Sequence, residues 1–149
     1  MTELALSFRI LDWGPSADPV LVGGFAEGNL AVLMAGKSVL ELNEILLVEM
    51  AVCVGQWLFR RGRGELVPFY YASIDYEDEP ILAFVPDDRG SLARVESVFS
   101  EKELGTVSLR AAEVAAQTFM AGIREELLAE LGIDLNSIVD FNIRENPRL

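Results

Sequence analysis

The sequence predicts an α+β fold: an antiparallel sheet of about six strands with two main helices packed on one face, in the order β-β-β-α-β-β-β-α. Three observations predict it. Short apolar segments alternate at period two. Tight Gly, Pro and Asp clusters separate them. Two longer segments repeat instead at the helical period. Strands that come in runs with short connections favour antiparallel pairing. The 149 residues suit one domain over 1–149, and a hydrophobic content of 51% is ample for one core.

The elements follow in order. In residues 4–11, Leu4, Leu6, Phe8 and Ile10 face the core, with Ser7 and Arg9 outward. Gly14 to Pro19 is a turn cluster through Ser16. Val20–Val22 starts a second strand, with a bulge at Gly23-Gly24. Glu27-Gly28-Asn29 reads as a turn and Leu30–Met34 as a third strand. Ser38-x-x-Glu41 has the form of a capping box opening a long helix, with Asn43 as the alternative cap. Its stripe is Leu42, Leu46, Met50, Cys53 and Trp57, and Gly62 stops it.

The second half repeats the layout. Leu66–Ile74 is a strand by aromatic and β-branched content, entered at Pro68. Asp75–Glu79 connects it to a strand beginning at Pro80, and Pro86–Gly90 is the next turn. In 91–99, Ala93, Val95, Ser97 and Phe99 point inward. Thr106 or Ser108 caps a helix over about 108–131, striped by Ala112, Ala115, Ala116, Phe119, Met120, Ile123, Leu127 and Leu131. Gly132 stops it, a short helical turn follows Asp134 or Asn136, and the tail RENPRL is polar.

Composition narrows the chemistry. There are 24 acids against 12 bases, a net charge of −12, which repels nucleic acid and anionic membranes and attracts basic partners. Histidine is absent, which removes the commonest general base and metal ligand. With Cys53 as the one cysteine, neither an internal disulfide nor a structural zinc site is expected. Cys53 falls on the apolar face of its helix and reads as a structural thiol. No basic start followed by an apolar run marks a secretory leader, and segment 45–59 is too short and too polar to span a membrane. The expected location is the cytoplasm. No cofactor is expected.

One motif argues otherwise. AVLMAGKS, residues 31–38, matches a relaxed phosphate-binding pattern. Such a loop needs glycines so that its backbone N–H groups can curl round a phosphate, and Val32, Leu33 and Met34 fit the end of a strand better. The expected structure is a turn at Gly36-Lys37 followed by the Ser38 cap. The RRGRG run of Arg60, Arg61 and Arg63 reads as cations complementing a helix C-terminus.

The acidic segment carries the functional reading. Residues 75–88, DYEDEPILAFVPDD, hold six acids and no Lys or Arg. Residues 67–105 hold nine acids and three bases, half the net charge of the chain. With Tyr70, Tyr71 and Tyr76 beside it, this composition suits docking of a basic protein: charge speeds encounter, and aromatic burial holds the complex. The candidate contact residues are Asp75, Tyr76, Glu77, Asp78, Glu79, Asp87 and Asp88. The plain structural alternative is a solvated turn whose acids blunt a sheet edge.

The sequence from Phe25, Gly28 and Leu30 through VGQWLFRR, VPFYYASIDYEDEPILAF and FSEKEL to AAEVAAQTFMAGI resembles the small acidic α+β immunity proteins of bacterial polymorphic and contact-dependent toxin systems. The resemblance covers about residues 20–131 and is one of layout. It implies a non-enzymatic cytoplasmic inhibitor that binds a toxin domain. Two other readings stand beside it. One is a small-molecule-binding or enzymatic domain with a cleft between sheet and helices. The other is a protein that pairs with its own copy.

Overall fold

The computed structural model describes residues 3–15 and 17–145. Ser16 of the expected turn and residues 146–149 of the tail lie outside them. The fold is α+β, with two antiparallel sheets rather than one. The first is a meander of β1 (Leu4–Asp12), β2 (Glu27–Met34) and β3 (Lys37–Leu46). Helix α1 (Leu47–Gly62) follows directly. The second sheet is a meander of β4 (Phe69–Tyr71), β5 (Leu82–Pro86), β6 (Leu92–Glu96) and β7 (Gly105–Ser108). Helices α2 (Leu109–Leu131) and α3 (Leu135–Glu145) close the chain.

The two meanders share one core with the helices. α1 packs on α2, α3 and β4, and α2 packs on β1, β6 and β7. Leu30, Val32 and Met34 of β2 alternate into this core, as do Leu40 and Leu42 of β3. From the second sheet come Phe69, Phe84, Val95 and Val107. Trp57 of α1 stands against Phe69 and Phe84 at ring separations of 5.8 and 5.9 Å, and its indole N–H donates to the Val67 carbonyl.

The largest departure from the sequence reading is the start of α1. Residues 38–46 form a strand, so Ser38-x-x-Glu41 is not a capping box and Asn43 is not a cap. Alternation decides the outcome: Leu40 and Leu42 are buried while Glu41 and Asn43 are exposed. A tight hairpin then sets the pairing. Ala35 and Gly36 both have positive φ, 52° and 78°, between the paired residues Met34 and Lys37. That is a two-residue type I′ connection, the form that matches strand twist. The AVLMAGKS motif is therefore a strand, a turn at Ala35-Gly36 and the start of a second strand. Helix α1 begins at Leu47 with no side-chain cap; the Leu47 N–H is satisfied instead by the Ala26 carbonyl.

Smaller departures have local causes. Val20–Val22 is not a strand but a turn running into a 3-10 helix at Val22–Gly24. Glu27-Gly28-Asn29 is not a turn but the start of β2. Gly28 is there because a β-carbon would stand 2.1 Å from the Arg9 carbonyl oxygen. Of Leu66–Ile74 only Phe69–Tyr71 pairs as strand, and Phe99 is exposed rather than inward. Strand β7 had no alternation long enough to mark it. Ser108 does cap α2, accepting from the Ala111 N–H, and Gly132 ends the helix at φ 68°. The turn after Asp134 is the full helix α3.

Candidate functional site

The acidic connection lies between β4 and β5, in residues 72–81, and two tyrosines anchor it to the first sheet. Tyr71 is buried at the end of β4; its hydroxyl donates to Glu49 Oε1 at 2.8 Å and stands 3.2 Å from the Leu46 carbonyl. Tyr76 reaches across from the loop itself. Its hydroxyl lies 3.2 Å from the Asn43 carbonyl and 3.4 Å from that of Glu44. Glu44 has a positive φ of 57°, at an irregularity in the β2–β3 pairing where β3 carries extra residue length. This irregularity presents the two carbonyls that Tyr76 engages.

The anchoring brings acids of both sheets together. Burial of its hydroxyl raises the Tyr76 phenol above its ordinary range, with the carboxylates of Glu44, Asp75 and Glu27 adding to it. Asp75, Glu77, Asp78 and Glu79 are all exposed. The Asp75 N–H is held by Ser73 Oγ, and Glu79 Oε1 accepts from the Tyr70 hydroxyl at 3.0 Å. Among them Ile74 is 81% exposed.

Asp87 and Asp88 do not join this group. They follow β5, whereas 75–79 precede it. Five strand residues at ~3.3 Å each put roughly 16 Å between the two sets. Asp87 builds the β5–β6 turn: its Oδ1 accepts from the Ser91 and Leu92 N–H groups at 2.8 and 3.1 Å. Those backbone bonds hold its carboxyl below the usual carboxylate range. Tyr71 is likewise unavailable to a partner because it is fully buried.

In their place the fold supplies residues 97–104. Val98 donates its N–H to the Pro80 carbonyl at 2.8 Å, which ties this segment to the acidic loop. The Phe99 ring meets Tyr76 edge-on at 5.5 Å. Val98 and Phe99 both keep more than 40% of their surface exposed. A cleft of about 320 Å³ runs beside them, lined by the carboxylates of Glu79, Glu96, Glu101 and Glu103 with Arg94 and Lys102. A second, of about 460 Å³, separates the segment from Val39 of β3. The sequence signal for these residues was the charge balance of 67–105, which already includes them. The exposure of Phe99 had no signal, since its position continues the inward alternation of β6.

The remaining candidates are structural. Arg60 pairs with Glu65 at 3.1 Å, and Arg61 bridges α1 to Glu113 of α2 at 2.9 Å. Arg63 lies over the Phe59 ring. All three arginines of the run are thus engaged within the fold. Cys53 is part-buried on α1; desolvation first, and then Glu49, push its thiol up to about 11. Among the described residues no group of three or more His, Cys, Asp or Glu is placed to hold a metal. No helix among them is long and apolar enough to cross a membrane.

The architecture defines an α+β domain of two antiparallel meanders around packed helices, with an acidic face rimming exposed apolar side chains. The chain belongs to the family described as a domain of unknown function, DUF7878, whose profile matches residues 21–129. The matched part runs from the 3-10 helix through most of α2 and contains the acidic loop. No curated protein and no solved structure matches the chain.

Proposed function

We propose that the protein is a non-catalytic docking module for a basic protein partner, and that loops 72–81 and 97–104 form the contact face. The observation that carries this reading is the position of Val98 and Phe99 beside Asp75–Glu79. Stable interfaces join a small desolvated core to a polar rim, and charge on the rim speeds encounter. Exposed Ile74, Val98 and Phe99 supply the core side, and Glu77, Asp78, Glu79, Glu101 and Glu103 supply the rim. The anchoring of Tyr76 supports the reading further, because a preorganised loop loses little entropy on binding.

The narrower form, inhibition of a toxin domain by an immunity-type protein in the cytoplasm, rests on the resemblance in layout. The alternative of an enzyme gains little from the titratable groups. Cys53 and Tyr71, the two most strongly shifted, are taken up in packing and in contacts with Glu49.

The test is affinity capture from the source cell with the wild-type chain and with the Asp75→Asn, Glu77→Gln, Asp78→Asn, Glu79→Gln combination. The reading expects a basic protein retained by the wild type at ~50 mM salt, released by ~500 mM salt, and lost with the neutralised chain, since exposed charge pairs are screened at those strengths. Equal retention by both chains overturns it.

A further inference from the structure

The acidic face borders an open sheet edge. Strand β3 ends the first sheet, and among the described residues no strand pairs with its outer side. A ten-residue edge is long for a protein to leave uncovered. Tyr76 covers one half by engaging the Asn43 and Glu44 carbonyls. The strand is bulged at this point and again at Val39. In the other half of the edge, residues 38–42, Val39 lines a gap whose other wall is the segment 99–104.

The gap has a volume of about 460 Å³. Its walls choose the side chains. Phe99 offers an apolar surface, and Glu101 and Glu103 outnumber Lys102, with Glu41 exposed on β3 itself. A second copy of this chain, at −12, meets repulsion there.

We infer that the outer edge of β3 at residues 38–42 takes an extended, Lys- or Arg-bearing segment of the partner by strand addition, between β3 and the 99–104 wall. The inference rests on the docking reading above and names how the partner is held. Main-chain hydrogen bonds supply affinity in this mode, and alternate side chains supply specificity.

The experiment uses the full chain and two synthetic probes of equal charge. One is a capped six-residue peptide of alternating Lys and Val; the other is the same peptide with every backbone nitrogen methylated. Binding is followed by calorimetry, and amide exchange is followed residue by residue. The expected result is salt-sensitive binding of the first probe, slowed exchange within 38–42, and at least tenfold weaker binding of the methylated probe, which cannot donate to an edge. Equal affinity for both probes overturns strand addition and leaves charge-driven docking standing. Binding that leaves 38–42 unaltered while slowing amides elsewhere also overturns it. Failure of both probes to bind at low salt counts against strand addition and the docking reading together.

Discussion

The hydroxyl of Tyr76 donates to the backbone carbonyl of Asn43 at 3.2 Å, joining the acidic loop of one sheet to the edge strand of the other. The hydrogen bond and the Phe99 ring contact together hold this junction. Tyr76→Phe keeps the ring and removes the donor. Its expected cost is about 1 kcal/mol, the usual net worth of such a bond. Urea titration measures that loss. Amide exchange in 72–81 should quicken while the α2 core stays protected. Unchanged exchange in the loop would show that the hydroxyl does not anchor it.

Gly28 and Gly62 should respond oppositely to alanine. At Gly28 the new β-carbon meets the Arg9 carbonyl oxygen at 2.1 Å and Leu47 Cδ1 at 2.7 Å. Backbone on a neighbouring strand cannot swing aside, so Gly28→Ala should cost about 3 kcal/mol or more. At Gly62, the last residue of α1, nothing lies within 4 Å and φ is not positive. Gly62→Ala should be neutral or stabilise by about 0.5 kcal/mol through the unfolded chain. Thermal melts of the two variants decide it, and equal shifts would refute the assigned contacts.

Periodicity made β1, α2 and the body of α1 legible, because each shows one clear repeat over two or more turns or pairs. The region 38–46 was ambiguous for a physical reason. Leu42, Leu46 and Met50 fall at helical spacing, while Leu40 and Leu42 fall at strand spacing, so Leu42 serves both patterns. The hairpin that sets the pairing needs a positive φ at Ala35, a residue that gives no hint of a left-handed turn. The site was half legible. The charge of 75–79 stands in the sequence, but the joining of Phe99 to Tyr76 depends on long-range packing. Asp87 stands apart from Asp75–Glu79 because a strand lies between them.

Asp87 should make the β5–β6 turn acid-sensitive. Its carboxyl is depressed below its ordinary 3.8 by N–H groups of Leu92 and Ser91. A depressed carboxyl stabilises the fold above the unfolded value and loses that contribution as pH falls through the folded one. The melting temperature of Asp87→Ala should therefore lie below that of the wild type from pH 7 to about 5. The gap should narrow progressively below pH 3.8. A gap constant down to pH 2 would mean that the bonds do not depend on the charge.

Cys53 sets the alkaline side. In the unfolded chain its thiol ionises near 9, whereas in the fold burial and Glu49 push it up to about 11. The folded state therefore holds its proton longer. Its contribution is complete below pH 9 and is lost as pH rises through 11. Two units correspond to about 3 kcal/mol at most. Tyr71, raised by burial and by Glu49, acts in the same direction at still higher pH. Cys53→Ala should accordingly show a flatter decline in stability than the wild type between pH 9 and 11. Alkylation of the native thiol at pH 8 should be slower than in urea by two orders of magnitude, the thiolate fraction falling with the shift. Reaction at the unfolded rate would place Cys53 in contact with solvent and remove the cause of the shift.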